Sequence, residues 1–172
     1  ISHNRNCSVC AGGQYTFTEN LPVCSSCNIP PAGNATVTED CIQRTQIVVT
    51  GDLNVPGVPD EQARLPAIMG GGSNRLFWVE SKILIIRRVN LTGGYSSAGG
   101  AININQEGVF KAFDSTITRC FSTSSGGGIY ATNSNTKVEL FNTVVKDNIA
   151  VGGYGGGLKI HWASLLMEGG RI

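Results

Sequence analysis

Gly99-Gly100-Ala101-Ile102-Asn103-Ile104 returns as Gly126-Gly127-Gly128-Ile129-Tyr130-Ala131 and again as Gly155-Gly156-Gly157-Leu158-Lys159-Ile160, at intervals of 27 and 29 residues. A second landmark keeps the same period. Phe113-Asp114-Ser115-Thr116-Ile117-Thr118-Arg119-Cys120-Phe121 matches Phe141-Asn142-Thr143-Val144-Val145-Lys146-Asp147-Asn148-Ile149 at a spacing of 28. A repeat of this length marks a stacked architecture. Each unit holds short period-two strands separated by Gly, Asn or Ser, which is too little apolar surface to bury itself, so units must stack. Helical solenoids are disfavoured, because the apolar spacing is two and because a run such as Gly126-Gly127-Gly128 weakens a helix. The repeat therefore predicts an all-β fold. It is a right-handed parallel β-helix of four to five coils over residues 45–172, behind a small disulfide-rich module over residues 1–44.

With coils about 4.8 Å apart, equivalent residues form ladders. One inner face is predicted to carry Phe77 and Val79, Ile102 and Ile104, Ile129 and Ala131, then Leu158 and Ile160. A second takes Ile83 and Ile85, Phe110 and Ala112, then Val138 and Leu140. The third takes Val89, Ile117 and Val145. Asn103, Lys159 and Glu139 fall between these and face solvent. On this register Ile86, Phe113, Phe141 and Met167 point outward as an apolar stripe, and contiguous exposed apolar surface marks an interface. A slip of one residue would turn the whole set inward. Trp78 and Tyr130 also face out, where aromatic rings can stack on sugars.

Charged residues make up 15% of the chain and the formal charge is +1, with no basic run to neutralise a row of phosphates, so nucleic acid is not an expected partner. No apolar stretch approaches the ~20 residues of a membrane span. A start at Ile1 without Met suggests a mature product whose leader has been removed. Glycine, at 23 of 172, is abundant and helix formers are sparse.

Five of the six cysteines, Cys7, Cys10, Cys24, Cys27 and Cys41, crowd the first quarter, and Cys120 stands apart. In an oxidising compartment these give three bridges with fifteen pairings open. Two CxxC knuckles, Cys7/Cys10 and Cys24/Cys27, also fit a tetrahedral zinc. Disulfides are favoured, because Cys41 has no place in a four-ligand site but suits a bridge, with Cys120 one candidate partner. Sequons at Asn6, Asn34 and Asn90 agree with secretion. The stretch from Cys10-Ala11-Gly12-Gly13-Gln14-Tyr15 to Cys24-Ser25-Ser26-Cys27 resembles the small cysteine modules of ephrin-receptor-like extracellular repeats.

The run Gly70-Gly71-Gly72-Ser73-Asn74-Arg75-Leu76-Phe77-Trp78-Val79, continuing through Ile83-Leu84-Ile85-Ile86-Arg87-Arg88-Val89-Asn90-Leu91-Thr92-Gly93-Gly94, resembles the first coils of pectin-lyase-like right-handed β-helices. The likeness is to the polymorphic outer-membrane-protein and adhesin type in particular. It covers residues ~45–172 and implies the fold. That fold hosts lyases, hydrolases, adhesins and structural proteins alike, so it does not select among them.

Polysaccharide-cleaving β-helices need acidic residues stacked on neighbouring coils. Here Asp114 aligns with Asn142, an amide, which reads as a corner hydrogen-bond ladder. Arg119 aligns with Asp147, which reads as a salt bridge between rungs. His3 and His161 have no nucleophile or carboxylate neighbour in a recognised motif and read as surface residues. Residues 152–157 lack the ends of a phosphate loop or a calcium repeat. No catalytic residue, metal or cofactor is expected.

The stretch Glu168-Gly169-Gly170-Arg171-Ile172 stops partway through a coil without a recognisable cap. An open coil is a sheet edge that invites further coils or another chain. The reading is therefore an extracellular structural or adhesive protein, not an enzyme, that assembles into a fibre or coat. Its partners are copies of itself, head to tail or side by side, with Ile172 at the open end, and glycans are a further candidate. The alternatives are a pectin-lyase-like polysaccharide enzyme and a carbohydrate-binding adhesin that never polymerises.

Overall fold

The structure, a computed structural model, describes residues 25–172. His3, Asn6, Cys7, Cys10 and Cys24, with much of the expected 1–44 module, lie outside the described residues. The opening strands are β1 (Ser25–Ser26), β2 (Gly33–Asn34), β3 (Cys41–Gln43), β4 (Ile47–Val49), β5 (Leu53–Pro56) and β6 (Ala67–Gly70). Then β7 (Phe77–Glu80), β8 (Ile83–Arg87), β9 (Asn90–Thr92) and β10 (Tyr95–Ala98) complete a coil. It is repeated by β11 (Ile102–Asn105), β12 (Val109–Phe113), β13 (Thr116–Thr118) and β14 (Phe121–Ser125), and again by β15 (Ile129–Thr132), β16 (Lys137–Phe141), β17 (Val144–Lys146) and β18 (Ile149–Ala150). The last coil holds β19 (Leu158–His161) and β20 (Ser164–Glu168). No helix occurs among the described residues.

The strands form a parallel β-solenoid of about five turns. Sheet I is β4-β7-β11-β15-β19, sheet II β2-β5-β8-β12-β16-β20, sheet III β1-β3-β6-β9-β13-β17 and sheet IV β10-β14-β18. Because β1, β2 and β3 already pair within these sheets, the stack reaches back to Ser25, ahead of the expected boundary at residue 45.

Stacking aligns like residues, as the repeat requires. In sheet I, Phe77, Ile102, Ile129 and Leu158 lie one over another, and so do Val79, Ile104, Ala131 and Ile160. Sheet III stacks Ile68, Leu91, Ile117 and Val145. Leu91 is therefore the rung equivalent of Ile117, and Val89 is buried at the corner before it.

Sheet II departs from the expected register. Leu84 pairs with Phe110 and Ile86 with Ala112, so Leu84 and Ile86 point inward and Ile83 and Ile85 face out. The cause is the turn between sheets I and II. β8 begins six residues after the start of β7, whereas β12 begins seven after that of β11 and β16 eight after that of β15. A one-residue difference turns every side chain over, and the unbroken run 83–86 has no alternation to reveal it.

The corners explain the recurring polar residues. Arg88, Asp114 and Asn142 follow aligned residues and adopt φ of 53°, 49° and 47°, and Gly169 takes that corner in the last coil. Asp, Asn and Gly tolerate this left-handed conformation better than other residues. At the corner before sheet I, a Cβ on Gly127 would run into the carbonyl oxygens of Gly156 and Ile149, so the coils can close up only on glycine.

Candidate functional site

With the interior filled by side chains, the surfaces available for function are the outer faces and the last coil. On sheet II three outward columns run along the stack. The one next to the corner is Arg87, Phe113, Phe141 and Glu168, the middle one is Ile85, Lys111, Glu139 and Leu166, and the third is Ile83, Val109, Lys137 and Ser164. The Phe113 and Phe141 rings stack with centroids 4.8 Å apart, and the Arg87 guanidinium lies 4.1 Å over the Phe113 ring. Lys111 bonds Glu139 at 2.8 Å. Two members of the expected stripe are corrected. Ile86 is fully buried, and Met167 aligns with Leu140 on the inner side, because the register of β8 and β20 is set by their own turns. Phe113 and Phe141 do share an outward column, and Ile172 is exposed.

Sheet I has Val48, Trp78, Asn103, Tyr130 and Lys159 in one outward column, although Asn103, expected to face solvent, is only 7% exposed, with its Nδ2 donating to the Ala98 carbonyl at 3.5 Å. Beside Trp78 sits Arg75, only 6% exposed, with its guanidinium 4.7 Å over the indole. Its Nη1 donates to Gln46 Oε1 at 2.8 Å in the coil below. Its Nη2 and Nε donate to the carbonyl oxygens of Ala98 at 2.7 Å and Gly99 at 3.0 Å in the coil above. Arg75 thus bolts three coils together. Burial lowers its pKa to about 10, which leaves it charged at neutral pH. Sequence reasoning missed this residue, yet a signal exists: the repeat's Gly99-Gly100-Ala101 is answered one coil earlier by Asn74-Arg75-Leu76, an arginine in place of glycine.

The corner residues behave as a scaffold. Asn142 Nδ2 donates to Asp114 Oδ1 at 3.2 Å, which is the expected ladder. Arg119 and Asp147 meet through their backbones, the Arg119 N–H donating to the Asp147 carbonyl at 3.1 Å. The Asp147 carboxylate pairs instead with Lys146 at 3.9 Å, so the expected bridge between rungs is replaced by a sequence neighbour. Both corners turn left-handed, which points the two side chains into solvent. His161 stacks on Trp162, with ring centroids 4.3 Å apart.

Cys27 is bonded to Cys41, which leaves Cys120 as a free, buried thiol and removes Cys27 from any four-thiolate zinc site. Burial pushes the Cys120 pKa up to about 12, opposed by backbone hydrogen bonds from Gly94 and Gly93. Among the described residues no three His, Cys, Asp or Glu side chains gather as metal ligands. No helix among them is long and apolar enough to cross a membrane. Of the sequons, Asn34 is exposed and its Oδ1 accepts from Asn54 Nδ2 at 3.2 Å, whereas Asn90 lies half-buried within β9 with its Oδ1 enclosed.

The last coil differs from those below it. Leu165, which continues the inner column of Phe110 and Val138, is 41% exposed, and Leu158, Ile160 and Met167 are half-buried. Trp162 and Tyr154 stand out at 78% and 75% exposure, with Lys159 Nζ 4.8 Å over the Tyr154 ring. No protein-family model, curated protein or solved structure gives a match to this chain.

Proposed function

We propose that this chain is an extracellular structural or adhesive solenoid that works by assembling and by presenting its outer faces, and that it is not an enzyme. The observation that carries the reading is the stack itself, whose interior is filled by apolar side chains, so that what the molecule presents is its outer faces and its strand edges. Val138 and Leu140 are fully covered, while Leu165 and Met167, which continue the same inner columns, are partly bare. A strand edge of a parallel stack pairs readily with a further strand, and on this reading that strand comes from another copy. A stack that adds rungs in this way grows into a rod, a form suited to a surface fibre or coat.

The Cys27–Cys41 bridge supports an oxidising setting, and the exposed Asn34 suits glycosylation. The glycine-lined corner and the recurring left-handed corners support kinship with the pectin-lyase-like and polymorphic outer-membrane-protein group. The cysteine-rich start, on this reading, is an ephrin-receptor-like module. Negative-stain microscopy at rising concentration tests the proposal. Rods longer than the ~25 Å of about five coils are expected, shortened by Leu165→Lys; dispersed single particles at every concentration would sink it.

A second reading, a glycan-binding adhesin, is favoured by two exposed rings of the last coil, Trp162 stacked on His161 and Tyr154 beneath Lys159. A glycan array whose signal disappears with Trp162→Ala supports it, and a blank array removes it. Polysaccharide turnover that is lost with Asp114→Ala or Asp147→Ala would replace both readings with an enzymatic one.

A further inference from the structure

Two of the three outward columns of sheet II are complementary to themselves when read from the opposite end. Along the stack one column runs cation, aromatic, aromatic, anion: Arg87, Phe113, Phe141, Glu168. The next runs apolar, cation, anion, apolar: Ile85, Lys111, Glu139, Leu166. Reversing either of these columns sets every charge against its opposite and every apolar side chain against another, while the third column, Ile83, Val109, Lys137 and Ser164, carries a single charge and brings no like charges together. These side chains are half-buried or exposed.

We infer that this face docks on the same face of a second copy, about a two-fold axis that lies parallel to the strands and passes between β12 and β16. Such an axis keeps each residue's place along its strand and inverts the order of rungs. Arg87 then meets the partner's Glu168, Phe113 meets the partner's Phe141, Lys111 meets the partner's Glu139 and Ile85 meets the partner's Leu166. The alternative two-fold, parallel to the stack, keeps each rung and sets Lys111 on the partner's Lys111 and Glu139 on the partner's Glu139. Like charges so opposed repel, which selects the first arrangement.

The face is small. Four strands at about 4.8 Å and five residues at about 3.3 Å span roughly 19 by 16 Å, below the usual size of a stable interface. An isolated pair is therefore weak. Along an assembled rod the contact repeats, and repeated weak contacts add up to lateral bundling. The inference rests on the reading that this solenoid works by assembly, and it supplies the side-by-side contact that axial stacking lacks.

The test uses the full chain carrying Leu165→Lys, which disfavours axial stacking and leaves the outer face of sheet II intact, with circular dichroism to verify the fold. Sedimentation velocity at rising concentration should show a species of doubled mass. Arg87→Glu and Glu168→Arg should each raise its midpoint concentration about tenfold or more, and the double swap R87E/E168R should restore it. A monomer at every concentration, single swaps without effect, or a double swap that fails to restore pairing overturns the inference. Long wild-type rods together with a strictly monomeric Leu165→Lys chain would remove the lateral contact and leave the axial reading standing. A charge-swappable dimer without wild-type rods would do the reverse.

Discussion

The coil of β11 to β14 and the last coil, β19 with β20, carry the same pattern of glycine corner and alternating strand, yet they differ in state. Ile102, Ile104 and Phe110 are fully buried, while their successors Leu158, Ile160 and Leu165 are partly open. The difference lies in the neighbours, not in the side chains. A residue in a solenoid is covered by the rungs above and below it, so burial here is a property of position in the stack. The effect of a substitution should follow that position more closely than residue type.

The largest expected effect tests this point directly. Phe110→Ala empties a site covered on both sides and should cost about 3–5 kcal/mol in urea unfolding. Leu165→Ala, one face of whose site is already bare, should cost less than about 1 kcal/mol under conditions where the protein is monomeric. Equal costs would mean that the last coil is covered in solution by something other than solvent. Next comes Arg75→Leu, which strips donors from the Ala98 and Gly99 carbonyl oxygens and should cost about 3 kcal/mol. Lys111→Ala breaks an ion pair on the half-exposed face and should cost about 0–1 kcal/mol.

Cys120 sharpens the contrast between interior and surface in a pH-dependent way. Its thiol is enclosed, and the folded pKa, at about 12, is raised above the ordinary thiol value of 9.0. Between those values the native state holds a proton that the unfolded state has lost. Stability is therefore complete below about pH 9 and falls as pH rises toward 12. A denaturant midpoint measured from pH 8 to 11 should decline more in the wild type than in Cys120→Ala. The native thiol should also resist alkylation at pH 8 until the protein unfolds.

The sheet I ladder was legible because three of its strands, β11, β15 and β19, each follow a glycine landmark that resets the phase. Ile102, Ile129 and Leu158 could be aligned without knowing any turn length. Sheet II lacks such a landmark. The phase of β8 depends on a turn that changes length from coil to coil, so Ile83 and Ile85 were exchanged for Leu84 and Ile86. Of the stripe, Phe113 and Phe141 were readable because both strands precede the same Asp or Asn corner, whereas Met167 precedes a glycine corner by one residue more. The Cys27–Cys41 bridge could not be chosen from fifteen pairings, because pairing depends on which strands become neighbours. Arg75 was hidden because its role lies in carbonyl groups one coil away.

The corner of β12 and β13 bears on chemistry as well as fold. Asp114 sits at φ 49°, at the corner taken by Asn142 one coil on and by Gly169 in the last coil. If its purpose is the left-handed turn, Asp114→Gly should leave stability within about 0.5 kcal/mol, since glycine adopts this conformation without steric strain. Asp114→Val should cost about 1–2 kcal/mol, because a β-branched side chain is strained there. The loss of the Asn142 hydrogen bond is common to both variants and therefore cancels in the comparison. A result in the opposite order would mean that the carboxylate matters more than the backbone, and the corner ladder would then have to be reconsidered as a site of chemistry.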